Sequence, residues 1–216
     1  MAISAVRYDS IKEKWGHRVS WAVWADDPEL PQKISMSGCD DISIFDRHEN
    51  PMILDICNPE VIFLALNFSK DKTLEPFENF HSESIFKLRY ALQNSIFYGG
   101  YMTDFVKDFP SEKGSEAMEY LKQNKNAINE NVKRLEEEIE SLGSENPIII
   151  VLYKKIEDII KTHFGDRYQV VYAPHYAGYR QYASAEMYRL GFMKNILDAE
   201  LCNPWDDPIG RWVAKY

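Results

Sequence analysis

The chain has 216 residues, of which 45% are hydrophobic and 13% aromatic, enough to bury a full core and too apolar for a disordered chain. Its formal net charge of -9 runs against a protein whose main partner is nucleic acid, because phosphate contacts draw on Lys and Arg. Cys39, Cys57 and Cys202 are widely separated and odd in number, which fits neither a disulfide framework nor a cysteine zinc site.

No apolar stretch reaches the roughly 20 residues that span a bilayer. The opening "MAISAVRYDSIKEKWGH" lacks a charged-then-apolar leader, which predicts a cytoplasmic protein without a membrane partner. One domain is expected, with residues 1–59 as a strand and loop extension, 60–201 as the α/β core and 202–216 as a tail. "HRVSWAVWADD" (17–27) alternates apolar and polar residues as an early strand does. The polar stretch that follows, to about Asn50, reads as loop; its acids and His48 lack ligand spacing on a defined element, so no metal is expected.

"EVIFLALN" (60–67) is a continuous apolar run closed by polar residues, the pattern of a parallel strand covered on both faces. "SESIFKLRYALQNSIF" (82–97) sets Ile85, Leu88, Leu92 and Ile96 on one helical face, and Gly99-Gly100 break it. "YMTDFV" (101–106) is a second core strand, and Ser111 is positioned to cap a helix over 111–124. The next helix carries Ile128, Val132, Leu135, Ile139 and Leu142 and stops at Gly143; its other face, within "NENVKRLEEEIE" (129–140), holds much of the acidic charge. "PIIIVLY" (147–153), "KKIEDIIKTHFG" (154–165) and "YQVVYAP" (168–174) read as strand, helix and strand. A closing helix is predicted from Tyr179 to about Leu201, with Ala183, Met187, Leu190, Leu197 and Leu201 inward.

This alternation predicts a three-layer α/β/α sandwich around a mainly parallel four-stranded sheet. Ligands of such sheets sit beyond the carboxyl ends of the strands, where this chain places Asn67, Asp104, Tyr153-Lys154 and His175. Each also has an ordinary account: an Asn closing a strand serves as a turn residue, an Asp before a helix as a cap or a partner of Lys107, and a single His as a structural donor.

In order along the chain, "LALNFS" (64–69), "YMTDFVK" (101–107) and "PHYAGY" (174–179) resemble the motifs of the uracil-DNA glycosylase-like superfamily, over residues 60 to 200. The departures are Ala65 where the family has Gly, Phe68 for Pro, Asp104 for the base-reading Asn, and Tyr176 for Pro after the histidine. The resemblance implies a hydrolase that cleaves the N-glycosidic bond of a modified or deaminated base in DNA without a cofactor. In that scheme Asn67 positions water, His175 stabilises the leaving base, and Asp104, Phe80 and Tyr101 contact the base. Phe77 and His81 are further candidates to stack on it, and Tyr176, Tyr179 and Tyr182 to stack on bases or sugars. Lys70, Lys72 and Arg180, with Arg189 and Lys194, would grip phosphates. An ionised Asp104 offers only acceptors, which disfavours plain uracil and favours an amino group or a ring N–H. The alternative is a non-catalytic module that binds a nucleotide or a protein through the same pocket.

Overall fold

The apolar run at 60–67 becomes the centre of a sheet. The computed structural model describes residues 2–25, 36–69, 73–124, 126–177 and 183–199. Its strands are β1 (Ser20–Trp21), β2 (Asn58–Asn67), β3 (Gly100–Val106), β4 (Ile148–Val151) and β5 (Val170–Tyr172), arranged β1-β3-β2-β4-β5. Pairing is parallel between β2 and β3, β2 and β4, and β4 and β5. The protein is therefore an α/β fold, with one correction: the sheet has five strands and is mixed, because β1 joins β3 antiparallel, Trp21 opposite Tyr101. The cause lies in the alternation of the early segment. Val19, Trp21 and Val23 enter the core on one face of the sheet, and Ala22 and Trp24 enter it on the other. A segment buried on both sides belongs in the sheet and not in an extension of it.

Seven α-helices lie among the described residues: α1 (Ala5–Trp15), α2 (Ile53–Ile56), α3 (Phe86–Leu92), α4 (Gly114–Gln123), α5 (Ala127–Leu142), α6 (Glu157–Phe164) and α7 (Ala185–Asp198). Ile11, Leu121, Leu135 and Ile160 bring α1, α4, α5 and α6 onto one face of the sheet. Leu88 and Leu92 of α3, with Tyr188 and Phe192 of α7, cover the other. Gly143 ends α5 at φ 71, a left-handed conformation that costs glycine little. None of these helices is long and apolar enough to cross a membrane.

Three boundaries depart from the sequence reading. Helix α3 stops at Leu92, where Gln93 turns to ψ 132 and the Ser95 hydroxyl donates to the Leu92 carbonyl at 2.9 Å. Helix α4 starts at Gly114, not at Ser111, whose hydroxyl instead accepts from the Lys113 N–H at 3.1 Å and donates to Glu116 at 2.6 Å. Helix α7 begins at Ala185, capped by the Ser184 hydroxyl, and it is rolled relative to expectation. Met187, Leu190 and Leu197 are 51%, 72% and 52% exposed, while Tyr188, Phe192 and Ile196 are fully buried. The row of larger aromatic side chains wins the core, and Tyr188 also donates to the Pro174 carbonyl at 2.9 Å.

Candidate functional site

Side chains of a strand point alternately to opposite faces, so parity decides which exits can meet. On β2, Val61 and Phe63 enter the α3/α7 side of the core, which sends Ala65 and Asn67 the same way. On β3 the α3/α7 side takes Met102, hence Asp104; beyond β5 it takes Val171 and Ala173, hence His175. The order of the sheet reverses at β2, whose neighbours β3 and β4 both follow it in the chain, and a crevice is expected at that switch point. There a cavity of about 690 Å³ opens, within the range of small-molecule sites. Its lining includes Asn67, Asp104, His175, Phe80, Tyr153 and Tyr176. Ala65, the register partner of Asp104, also lines it and is too small to fill the space above the carboxylate.

Asn67 is held in one orientation. Its amide nitrogen donates to the carbonyls of Ser111 at 2.8 Å and Phe68 at 2.9 Å. The amide oxygen is thereby left as the acceptor end, suited to holding a water. His175 is fixed in a complementary sense. The Ala177 N–H donates to its Nδ1 at 3.1 Å, which puts the proton of a neutral ring on Nε2. Its ring opens onto the cavity yet is hemmed in by protein, and burial lowers its pKa to about 4. At neutral pH it is an uncharged N–H donor. Tyr176 stacks on it at 4.3 Å between ring centroids, with a phenol pushed up by burial and then by the charge of Asp104.

Asp104 is 2% exposed. One carboxylate oxygen, Oδ2, accepts from the Asn79 amide at 3.0 Å; the other, Oδ1, is buried and has no hydrogen-bond partner among the described residues. Burial raises its pKa to about 6, against the opposing pull of the Asn79 hydrogen bond and the charge of Lys107. The ordinary accounts of Asp104 do not hold. It caps no described helix, and Lys107 turns to the other face of β3, where its ammonium bonds Glu138 of α5 at 2.7 Å and also Thr103. Tyr101 belongs to that opposite face too: its hydroxyl donates to Glu138 at 3.3 Å, and it does not line the cavity. Three positions from Asp104 along a strand, Tyr101 has the wrong parity for a base contact.

Of the aromatic candidates after β2, Phe77 is core, fully buried against Tyr8 and Phe45. His81 also lines the cavity, but it is buried with its ring against Trp24 and Phe45, and burial lowers its pKa to about 4. Phe80 is half-buried and lines the cavity at φ 67, a conformation rare outside glycine. Asn79 is not legible in the sequence; its amide ties Asp104 to the Arg18 carbonyl, at 2.8 Å to the latter. Arg18 itself lies over the Phe68 ring at 4.1 Å, with one guanidinium nitrogen buried and unpartnered among the described residues.

Of the proposed phosphate-gripping set, Arg189 donates to the Tyr90 carbonyl of α3 at 3.0 Å and Lys194 pairs with Asp198. Lys70, Lys72, Tyr179, Arg180 and Tyr182 lie outside the described residues. Among described residues the lining carries Glu78, Asp104 and Glu112 and no lysine or arginine. Compared with known proteins, the chain matches no protein-family model and no curated protein sequence.

Proposed function

We propose that the cavity binds a nucleobase and hydrolyses its N-glycosidic bond. In this reaction the C1′–N bond breaks and its electron pair leaves with the base. A water oxygen forms the new bond to C1′ and gives up a proton to solvent. The Asn67 amide oxygen would hold that water against the sugar carbon. The His175 Nε2–H would donate to a carbonyl oxygen of the departing base, where negative charge develops. Phe80 and Tyr176 would flank the ring. The observation that carries the reading is the convergence of Asn67, Asp104 and His175 in one cavity, with Asn67 and His175 locked as acceptor and donor by backbone bonds.

A panel of single- and double-stranded oligonucleotides carrying different modified bases, together with the matching nucleosides, tests it by base release and abasic-site formation. His175→Ala and Asn67→Ala are each expected to slow the reaction about 100-fold, the scale of one lost donor or one misplaced water. Release that survives both substitutions, or release from no substrate, refutes the proposal. The carboxylate-rich lining favours a second reading in which a free nucleoside or base is bound without chemistry. Binding of nucleosides without base release would select it.

A further inference from the structure

We propose that the ligand carries an exocyclic amino group and that Asp104 accepts a hydrogen bond from it, so that aminopyrimidines or aminopurines are preferred over their deaminated, oxo-bearing counterparts. This rests on the base-binding part of the reading above and adds the class of base.

Asp104 lines the cavity and is buried, with Oδ1 screened from solvent and without a partner among the described residues. Neither Asn79 nor Lys107 can turn to serve that oxygen. The Asn79 amide nitrogen is fully engaged, donating to Asp104 Oδ2 at 3.0 Å and to the Arg18 carbonyl at 2.8 Å. The Asn79 amide oxygen accepts from the Phe80 N–H at 3.2 Å, so flipping the amide would forfeit all three bonds. Lys107, the nearest ammonium along β3, is committed to Glu138 and Thr103 on the far side of the sheet. A buried acceptor left without a donor has lost its hydration without return, and a ligand N–H restores the missing bond.

The two kinds of base differ in what they bring to this oxygen. An amino group points an N–H at the Asp104 Oδ1 lone pairs. A carbonyl in the same place sets lone pairs against lone pairs in a dry site. The N3–H of uracil does not escape this, because a carbonyl oxygen flanks it on each side, and the N1–H of hypoxanthine has one such oxygen beside it that approaches the same carboxylate. The neutral His175 Nε2–H meanwhile asks for an acceptor elsewhere on the ring. A base with both a carbonyl oxygen or an unprotonated ring nitrogen and an amino group satisfies both ends.

Calorimetric titration of the full chain with free bases reads this without any chemistry. The pairs are cytosine against uracil and adenine against hypoxanthine, at pH 8. The amino member of at least one pair is expected to bind about tenfold tighter or more, and Asp104→Asn to erase or reverse the preference. Uracil and hypoxanthine binding as tightly as their amino counterparts overturns the inference from the wild type alone. So does an Asp104→Asn protein, folded by its melting curve, that keeps the wild-type preference. Binding of none of the four bases overturns it together with the base-binding reading. Amino-base preference without base release from any substrate upholds it and removes the hydrolytic step.

Discussion

Asp104→Asn is expected to make the protein more stable above neutral pH. The wild-type carboxyl moves from an ordinary value of 3.8 to about 6 on folding, with burial as the largest cause. Each tenfold change in proton affinity is worth about 1.4 kcal/mol, so carrying the charged form into the fold costs about 1–3 kcal/mol. The folded carboxyl holds its proton more tightly than the unfolded one. Its stabilising contribution is therefore complete below pH 4, is lost as the pH rises through about 6, and does not return above that. The charges that set this balance are Lys107 and Arg18, which favour the ion, and Glu138, which opposes it. Asn is isosteric, carries no charge to desolvate, and keeps an oxygen for the Asn79 amide. Urea denaturation of both proteins at pH 4.5 and pH 8 measures the effect. The variant should lead by about 1–3 kcal/mol at pH 8, each kcal/mol being about 2–4 °C in Tm for a chain of this length, and the lead should shrink at pH 4.5. A variant that is less stable at pH 8, or a difference that ignores pH, would refute the reasoning. Either result would mean that Oδ1 has a tight donor in the resting protein.

Glu138→Ala should cost about 3–5 kcal/mol by leaving the Lys107 ammonium buried without its partner, whereas Lys107→Met with Glu138→Leu should fold within about 1 kcal/mol of wild type. A single variant as stable as the double, by urea titration, would contradict the account of that pair. Gly99→Ala should cost at least about 2 kcal/mol in the same assay, because residue 99 sits at φ 79 and a Cβ there would lie 2.0 Å from the Ile56 carbonyl oxygen. A loss below about 0.5 kcal/mol would show that this turn relaxes freely.

The parts of the fold legible in the sequence are those where burial imposes a simple pattern. β2 and β3 are covered on both faces; β2 appears as an unbroken apolar run from Val61 to Leu66 and β3 as an apolar run interrupted only at Thr103-Asp104, and the heptad-like stripe of α5 ends at a glycine that the left-handed cap requires. Asn67 closes β2 and His175 follows β5 as the runs predict, whereas Asp104 lies inside β3 and not at its exit; the three still share a cavity. Helix α1 escapes a pattern reading because it buries only Tyr8 and Ile11 and carries no continuous apolar stripe. The roll of α7 is ambiguous in the sequence because Met187, Leu190 and Leu197 make as good a helical row as Tyr188, Phe192 and Ile196, and only bulk separates them. Asn79 is invisible for another reason: its role comes from partners 61 and 25 residues away, brought together by a loop with φ above zero at Phe77 and Phe80. Tyr101 is the instructive error, since parity along β3 already separates it from Asp104.

That parity also explains how β3 meets two buried carboxylates back to back, one paired with a cation and one not. Glu138 reaches β3 from α5 and meets the donors on that side: Thr103 at 2.7 Å, Tyr101 at 3.3 Å and Lys107 at 2.7 Å. The arrangement staples helix to sheet and uses up the cation. Asp104, on the side facing α3 and α7, receives a single amide. A fold optimised only for stability would put an apolar residue at 104, opposite Ala65, and close the space. Instead the sheet holds Asp104 in the lining of a cavity shared with two groups, Asn67 and His175, whose other polar atoms are already bound to backbone. A buried carboxylate kept at such a cost is what the proposed base recognition would relieve.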